Sequence, residues 1–193
     1  MTPRRIDASA VAPQPWRNGG GSTRELLAWP DAQAWSVRIS LAEIEADGPF
    51  SDFADVQRWF AVVEGAGVAL RFGAIERRVT PSDAPLRFDG SHGPHCALVD
   101  GPTSDLNLML HGAHGVMQRV EPGVSWVADF RFKAIYTAVA GIWRGDAAEC
   151  ELPAGTLLWS DAPGHAFEWV FDAAEHAGMA AWWLGATAPT VAR

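Results

Sequence analysis

The sequence predicts an all-β protein, two stacked jelly-roll barrels of similar plan within 193 residues. Three observations carry that expectation. Long runs of helical period are missing. Short β-rich runs recur instead, punctuated by Gly, Pro and Asp. A polar turn ahead of an apolar run at 149–158, frequent in jelly rolls, has a weak echo at 77–86. Short strands at this spacing build antiparallel sandwiches or barrels.

The elements follow in order. Residues 35–41 alternate cleanly, with Trp35, Val37, Ile39 and Leu41 on one face and Ser36, Arg38 and Ser40 on the other. Residues 59–65 and 68–72 read as strands around a glycine-bearing turn, and Gly73-Ala74 closes a hairpin to 75–80. Strands are expected at 86–88, 95–100 and 106–110. The second half repeats the texture at 123–132, 134–143, 156–159, 167–171 and 180–184. The Gly/His/Pro-containing stretch between His111 and Gly123 reads as the junction, dividing the chain into an N-terminal unit at 1–115 and a C-terminal one at 116–193.

Composition narrows the function classes. Hydrophobic residues make up 48% and charged residues 20%, ordinary for a chain with a full core. A net charge of −8 disfavours nucleic acid and anionic membrane surfaces as partners. Lys133 is the only lysine, so the remaining side-chain cations besides histidine are arginines, which grip carboxylates bidentately. Residues 1–11 do not read as a signal peptide and no run has the length of a membrane span. Cys96 and Cys150, far apart and without a partner pattern, read as reduced thiols. A cytoplasmic protein is expected.

The segment Pro15-Trp16-Arg17-Asn18-Gly19-Gly20-Gly21-Ser22-Thr23-Arg24-Glu25 is the densest candidate for a site. Three glycines in a row suit a backbone that bends freely or approaches another group closely. No lysine follows them, as a phosphate-cradling loop requires, and the dinucleotide spacing G-x-G-x-x-G is absent. Ser22 to Glu25 fits a helix capping box, yet only four residues separate it from Pro30. The segment is therefore expected to be a loop entering a short strand.

Two further strings stand beside it: Asp47-Gly48-Pro49-Phe50-Ser51-Asp52-Phe53, and Asp100-Gly101-Pro102-Thr103-Ser104-Asp105-Leu106-Asn107-Leu108-Met109. Together, and in this order, the three resemble the HutD/Ves family, over roughly residues 13–110. The resemblance implies a bicupin associated with bacterial histidine utilisation, sensing or limiting an intermediate such as urocanate or formylglutamate. It brings no established catalytic reaction. The chain departs from the family pattern at Ala54–Arg58, where a Gly-Ile-Asp-Arg-like turn is usual, and at Ser91-His92 after Gly90.

Candidate ligand-binding residues are Trp16, Asn18, Thr23, Arg38, Asp105 and Asn107. Arg38 shares a face with Ser36 and Ser40. Inside a small barrel it needs an anion, either a ligand carboxylate or an internal partner such as Asp105 or Glu25; with the alternation reversed it is simply exposed. Asn107, alternating against three leucines, suits a carboxylate or an imidazole N–H, or else holds a loop backbone. Asn18 and Thr23 either meet a ligand or fix the glycine turn. Trp16 either stacks on a planar ligand or packs in the core. Asp47-Gly48-Pro49 reads as a turn anchored by Phe50 and Phe53.

Cupins commonly hold a metal through His-x-His, which is absent here. His92/His95 and His111/His114 are spaced by three, which sends strand side chains to opposite faces. No metal, cofactor or catalytic residue is therefore expected. Three readings stay open. One is a regulatory bicupin binding a small carboxylate or imidazole compound. Another is an enzyme on the same kind of compound, with Glu25, Asp105 or a histidine as base. The third is a partner-binding protein with a vestigial pocket. A homodimer is compatible with each.

Overall fold

The computed structural model describes residues 3–145, 148–162, 167–173 and 181–187, and these form strands joined by turns. The strands are β1 (Arg4–Asp7), β2 (Gln14–Pro15), β3 (Gly21–Trp29), β4 (Val37–Ile44), β5 (Gly48–Pro49), β6 (Val56–Glu64), β7 (Val68–Phe72), β8 (Ile75–Val79), β9 (Leu86–Asp89), β10 (His95–Leu98) and β11 (Thr103–His111). There follow β12 (Gly115–Arg119), β13 (Trp126–Ala128), β14 (Phe132–Thr137), β15 (Gly141–Gly145), β16 (Ala148–Leu152), β17 (Thr156–Ser160), β18 (Phe167–Ala173) and β19 (Ala181–Ala186). Only one 3-10 turn, Ala8–Ala10, interrupts the all-β pattern among the described residues. Among the described residues no helix is long and apolar enough to cross a membrane.

The chain divides into two compact units, 11–112 and 113–193 with 1–10. Against the expected division at 115/116, the first ten residues go with the later part of the chain. The cause is β1, which pairs antiparallel with β17 from Arg4↔Trp159 to Asp7↔Thr156. The Arg4 guanidinium stacks 4.0 Å from the Trp159 ring centroid and reaches Asp161 at 2.6 Å.

Unit 11–112 contains a six-stranded sheet, ordered β2-β3-β4-β11-β6-β9, and a four-stranded sheet, ordered β5-β10-β7-β8. Its core draws on both, with Ala42, Ile44, Phe60 and Val62 from the first meeting Val68, Leu70, Val79 and Cys96 from the second. The alternation that predicted β4 is visible in burial, since Val37 and Ile39 are wholly covered. The opposite face is also covered: Ser40 and Ala42 are buried and Arg38 is partly buried. That second covered face is where polar side chains gather.

The other unit has a five-stranded sheet, β1-β17-β14-β19-β12, and a four-stranded sheet, β13-β18-β15-β16. Tryptophans dominate its core. Trp126 stacks on Trp183 at 5.1 Å and Trp143 meets Trp169 edge-on at 5.0 Å, both within the range of favourable ring pairs. Glycine at 145 is required by this packing, because a Cβ there would stand 2.4 Å from Trp169 Cδ1.

Five expectations about the elements change. The loop expected at 22–25 is part of β3, a nine-residue strand whose hydrogen bonds to β4 outweigh the conformational cost of its glycine start. The expected strand 134–143 is two, β14 and β15, separated by a turn. The run 123–132 is strand only at Trp126–Ala128 before β14 begins at Phe132. β12 lies inside the expected junction and β16 inside the expected polar turn, each paired to a neighbouring strand. All strand pairs are antiparallel, and none of the four sheets closes on itself among the described residues. Both cysteines are free thiols, with Cys96 buried and Cys150 partly so.

Candidate functional site

The six-stranded sheet of unit 11–112 sets out three successive rungs of inward-facing residues. Register pairs Arg58 of β6 with Met109 of β11, and Met109 with Arg38 of β4. One pleat along, Phe60, Asn107, Ser40 and Glu25 align across β6, β11, β4 and β3. The next rung holds Val62, Asp105, Ala42 and Thr23. Because strand side chains alternate, these rungs share one face. From these rungs Thr23, Arg38, Ser40, Ala42, Arg58, Asn107 and Met109 form one wall of a cavity of about 650 Å³, completed by Trp16 and Asn18 from the glycine-run loop and by Phe50, Ser51 and Phe53.

The glycine-run loop is a tight backbone turn. Trp16 N–H donates to the Gly21 carbonyl at 2.9 Å, and Gly19 N–H donates to the Trp16 carbonyl at 3.0 Å. Asn18 Oδ1 accepts from Gly20 N–H at 3.1 Å, so this side chain holds the turn while also lining the cavity. Gly19 takes φ +70°, which favours glycine. Gly21 is needed for another reason: a Cβ there would lie 2.1 Å from the Glu43 carbonyl oxygen. Trp16 Nε1–H donates to Thr23 Oγ1 at 2.8 Å, pinning the indole to β3.

The Asp47-to-Phe53 string is fixed by main-chain bonds on the other side. Phe50 N–H donates to the Pro94 carbonyl at 2.9 Å and Phe53 N–H to the Gly90 carbonyl at 2.7 Å. Asp47 Oδ1 accepts from Leu98 N–H at 2.8 Å. Phe50 and Phe53 are thereby presented to Arg58, whose guanidinium carbon lies 5.2 Å and 5.7 Å from their centroids and 5.1 Å from that of Phe88.

Arg58 is 6% exposed and forms no ion pair with any described carboxylate. Its Nη2 donates to Asn107 Oδ1 at 2.9 Å and its Nη1 reaches the Ser51 carbonyl at 3.5 Å, while Nε has no partner. Burial, and then the charge of Arg38, pull its pKa down to about 10. A buried cation balanced only by ring faces and neutral oxygens is costly to keep in place. It remains protonated at neutral pH and offers a guanidinium to an anion entering the cavity.

Arg38 is differently placed. Its Nε donates to Glu25 Oε2 at 2.6 Å, and its Nη1 lies 3.6 Å from Met109 Sδ. This is the internal Glu25 pair raised by the sequence, and Arg38 also lines the cavity. Asp105 lies deeper on the same face, wholly buried and outside the cavity wall. Its Oδ2 accepts from Thr103 Oγ1 at 2.7 Å and Oδ1 has no partner. Burial raises its pKa to about 8, against the opposing Thr103 bond and with help from Glu43, so it is a neutral acid at pH 7.

Trp16, Asn18, Thr23, Arg38 and Asn107 thus meet at one cavity, and Asp105 stands apart from it. Ser40 and Met109 join them without having been named as candidates, and so does Arg58, which the sequence marked only as part of a departure from the family pattern at the rim of the site. Starting β6 at Trp59 leaves Arg58 in a turn; the strand in fact begins at Val56, and parity with Phe60 and Val62 turns Arg58 inward. Among the described residues no three His, Cys, Asp or Glu side chains converge as a metal set, and His92, His95, His111 and His114 are exposed.

Known proteins share both sequence and fold with this chain. Protein Ves of Cronobacter sakazakii is 35% identical over 95 residues, covering 49% of this chain and 52% of that protein. A 21.2 kDa protein encoded in the hutC 3′ region of Pseudomonas putida is 38% identical over 98 residues, covering 49% and 51%. The chain spans about half the length of the curated relatives it matches. A conserved protein of unknown function from Pseudomonas aeruginosa PAO1 superposes with TM-score 0.86 at 25% identity, covering 97% of this chain and 100% of that one. HutD from Pseudomonas fluorescens SBW25 gives 0.83 at 24%, covering 96% and 98%. A cupin-like fold is shared more distantly with oxalate decarboxylase of Bacillus subtilis, at TM-score 0.63 and 9% identity over 96% of this chain and 77% of that one. The HutD family model matches residues 8–176, and the chain belongs to the HutD family.

Proposed function

We propose that this chain is a bicupin that binds a small carboxylate in the cavity of unit 11–112 and acts as a cytoplasmic regulator or sensor rather than as an enzyme. Arg58 carries the reading: a guanidinium 6% exposed, at the cavity wall, without a carboxylate partner among the described residues. An anion would supply the charge that the protein withholds, with Asn107 fixing the orientation of the guanidinium and with Asn18 and Thr23 near the entering group. Trp16, Phe50 and Phe53 would flank a flat or apolar remainder. Arg38 contributes a second guanidinium, partly neutralised by Glu25.

Two relatives support the ligand class and the setting. The P. putida relative is encoded beside hutC, and the P. fluorescens structure was obtained in a formate condition. An intermediate of histidine utilisation, urocanate or formylglutamate, is the proposed natural ligand. General-base chemistry has less to stand on, since Glu25 is engaged by Arg38 and Asp105 is outside the cavity wall.

Thermal unfolding of the full chain against formate, urocanate, formylglutamate, glutamate and histidine tests the proposal. A ligand at a hundred times its dissociation constant adds about 2.7 kcal/mol, or roughly 5–10 °C for a chain this size. The shift is expected with at least one carboxylate and is expected to vanish in Arg58→Met. No shift with any of them would end the proposal.

A further inference from the structure

The cavity wall carries a charge opposite in sign to that of the chain. The chain has a net charge of −8, yet the described residues lining the cavity include Arg17, Arg38 and Arg58 and neither an aspartate nor a glutamate. Arg58 and Arg38 flank Met109 on strands two apart, so their backbones stand about 10 Å from each other at the usual strand spacing. Two carboxylates of the same sheet stay outside the wall. Glu25 is engaged by Arg38 Nε at 2.6 Å, and Asp105 is wholly buried. Arg17 is exposed and screened by solvent, so Arg38 and Arg58 set the local field.

The oxygens and rings of the wall offer little to a further cation. Asn107 Oδ1 accepts from Arg58 Nη2 at 2.9 Å, Asn18 Oδ1 from Gly20 N–H at 3.1 Å and Thr23 Oγ1 from Trp16 Nε1–H at 2.8 Å. The faces of Phe50 and Phe53 already have the Arg58 guanidinium carbon 5.2 Å and 5.7 Å from their centroids. Trp16 packs against the core cluster of its unit. The buried Ser40 hydroxyl can accept a hydrogen bond, but a neutral oxygen does not balance a charge brought beside two guanidiniums. A carboxylate seated on Arg58 would hold an ammonium on its adjoining carbon close to both arginines, with no counter-ion in the wall.

We infer that the cavity selects carboxylates that lack an ammonium group. It takes those whose adjoining carbon bears hydrogen, carbon, a hydroxyl or an acylated nitrogen, and it turns away free α-amino acids. This deepens the carboxylate-binding reading above and rests on it. Of the compounds named there, urocanate and formylglutamate carry no ammonium, whereas histidine and glutamate do. A wall of arginines without a carboxylate therefore separates the proposed ligands from the amino acids they resemble.

The experiment is calorimetric titration of the full wild-type chain at neutral pH with two pairs that exchange a hydroxyl for an ammonium at nearly the same size: lactate with alanine, and imidazolelactate with histidine. Each compound has a single carboxylate, so the ammonium cannot leave Arg58 by the ligand turning round. The hydroxy acid of at least one pair is expected to bind, at least about tenfold more tightly than its amino acid. In Arg38→Ala the hydroxy acid is expected to lose more affinity than the amino acid, shrinking that ratio at least about threefold, because one guanidinium is gone and Glu25 is released. Either amino acid binding as tightly as its hydroxy acid, a ratio that does not shrink in the variant, or binding of none of the four compounds by wild type overturns the inference. Whether the carboxylate reading falls with it is read separately, from the stabilisation of wild type but not of Arg58→Met by formate, urocanate or formylglutamate.

Discussion

Arg58 donates to Asn107 across 2.9 Å, and both side chains are buried: a cation and a neutral amide joined where an ion pair would be the cheaper arrangement. The two residues are 49 positions apart and lie side by side only because β6 and β11 pair in the register Phe60↔Asn107 and Arg58↔Met109. The arrangement holds the guanidinium in one orientation while leaving its charge unspent. That leaves the charge available to an anion, as the proposed function requires.

Replacing Arg58 by methionine should therefore separate binding from stability. Methionine fits among Phe50, Phe53 and Phe88, and removing a buried unpaired cation offsets the loss of its bond to Asn107. Chemical denaturation should show a change within about 1 kcal/mol, or a gain, while carboxylate binding is lost. A loss of several kcal/mol would mean that Arg58 is a structural element.

Arg38→Ala should behave in the opposite proportion. Its side chain and that of Glu25 are 21% and 34% exposed, so their pair contributes under about 1 kcal/mol to folding. Removing Arg38 nevertheless takes one guanidinium from the cavity wall beside Arg58. Carboxylate affinity should fall about tenfold with the fold intact, measured by titration calorimetry beside a denaturation curve. Unchanged affinity would leave Arg38 with no role in the cavity.

Asp105 gives a pH dependence of definite sign. Its ordinary pKa of 3.8 is raised to about 8 by burial. The folded chain keeps this proton while the unfolded chain releases it. The stability contributed by the neutral form is complete below about pH 4 and is lost as pH rises to about 8, at roughly 1.4 kcal/mol per pH unit at most. Asp105→Asn stays neutral, so it should be the more stable protein at pH 8.5 and differ least from wild type at pH 4. Urea midpoints at a series of pH values measure this, and parallel curves for the two proteins would refute it.

The three glycines of the loop should tolerate alanine in a set order. Gly20→Ala meets nothing closer than Asn18 Oδ1 at 3.5 Å and should be near neutral. Gly19→Ala has open space but a φ of +70°, costing about 1 kcal/mol. Gly21→Ala drives a Cβ to 2.1 Å from the Glu43 carbonyl and forces β3 away from β4, costing more than about 3 kcal/mol. Thermal midpoints rank the three, and Gly21→Ala ranking as the mildest would contradict the geometry.

The sequence by itself determined the local half of this protein. Alternation at Val37, Ile39 and Leu41 marks β4 because strand side chains change face at every residue, a property that needs no partner. The turn at Asn18 to Gly21 was legible for the same reason, since an Asn side chain caps its own backbone two residues on. Tertiary structure decided the rest. β1 finds β17 across some 150 residues, which a periodicity of two cannot announce. Glu25 rather than Asp105 pairs Arg38, because register brings Glu25 within reach on β3 while Asp105 lies deeper, beside Ala42. Arg58 became a buried cation only when β6 extended back to Val56 and the Phe50, Phe53 and Phe88 rings closed around it. Which face a residue takes is set by its neighbours in sequence; what it meets on that face is set by strand pairing, whose energy comes from segments far along the chain.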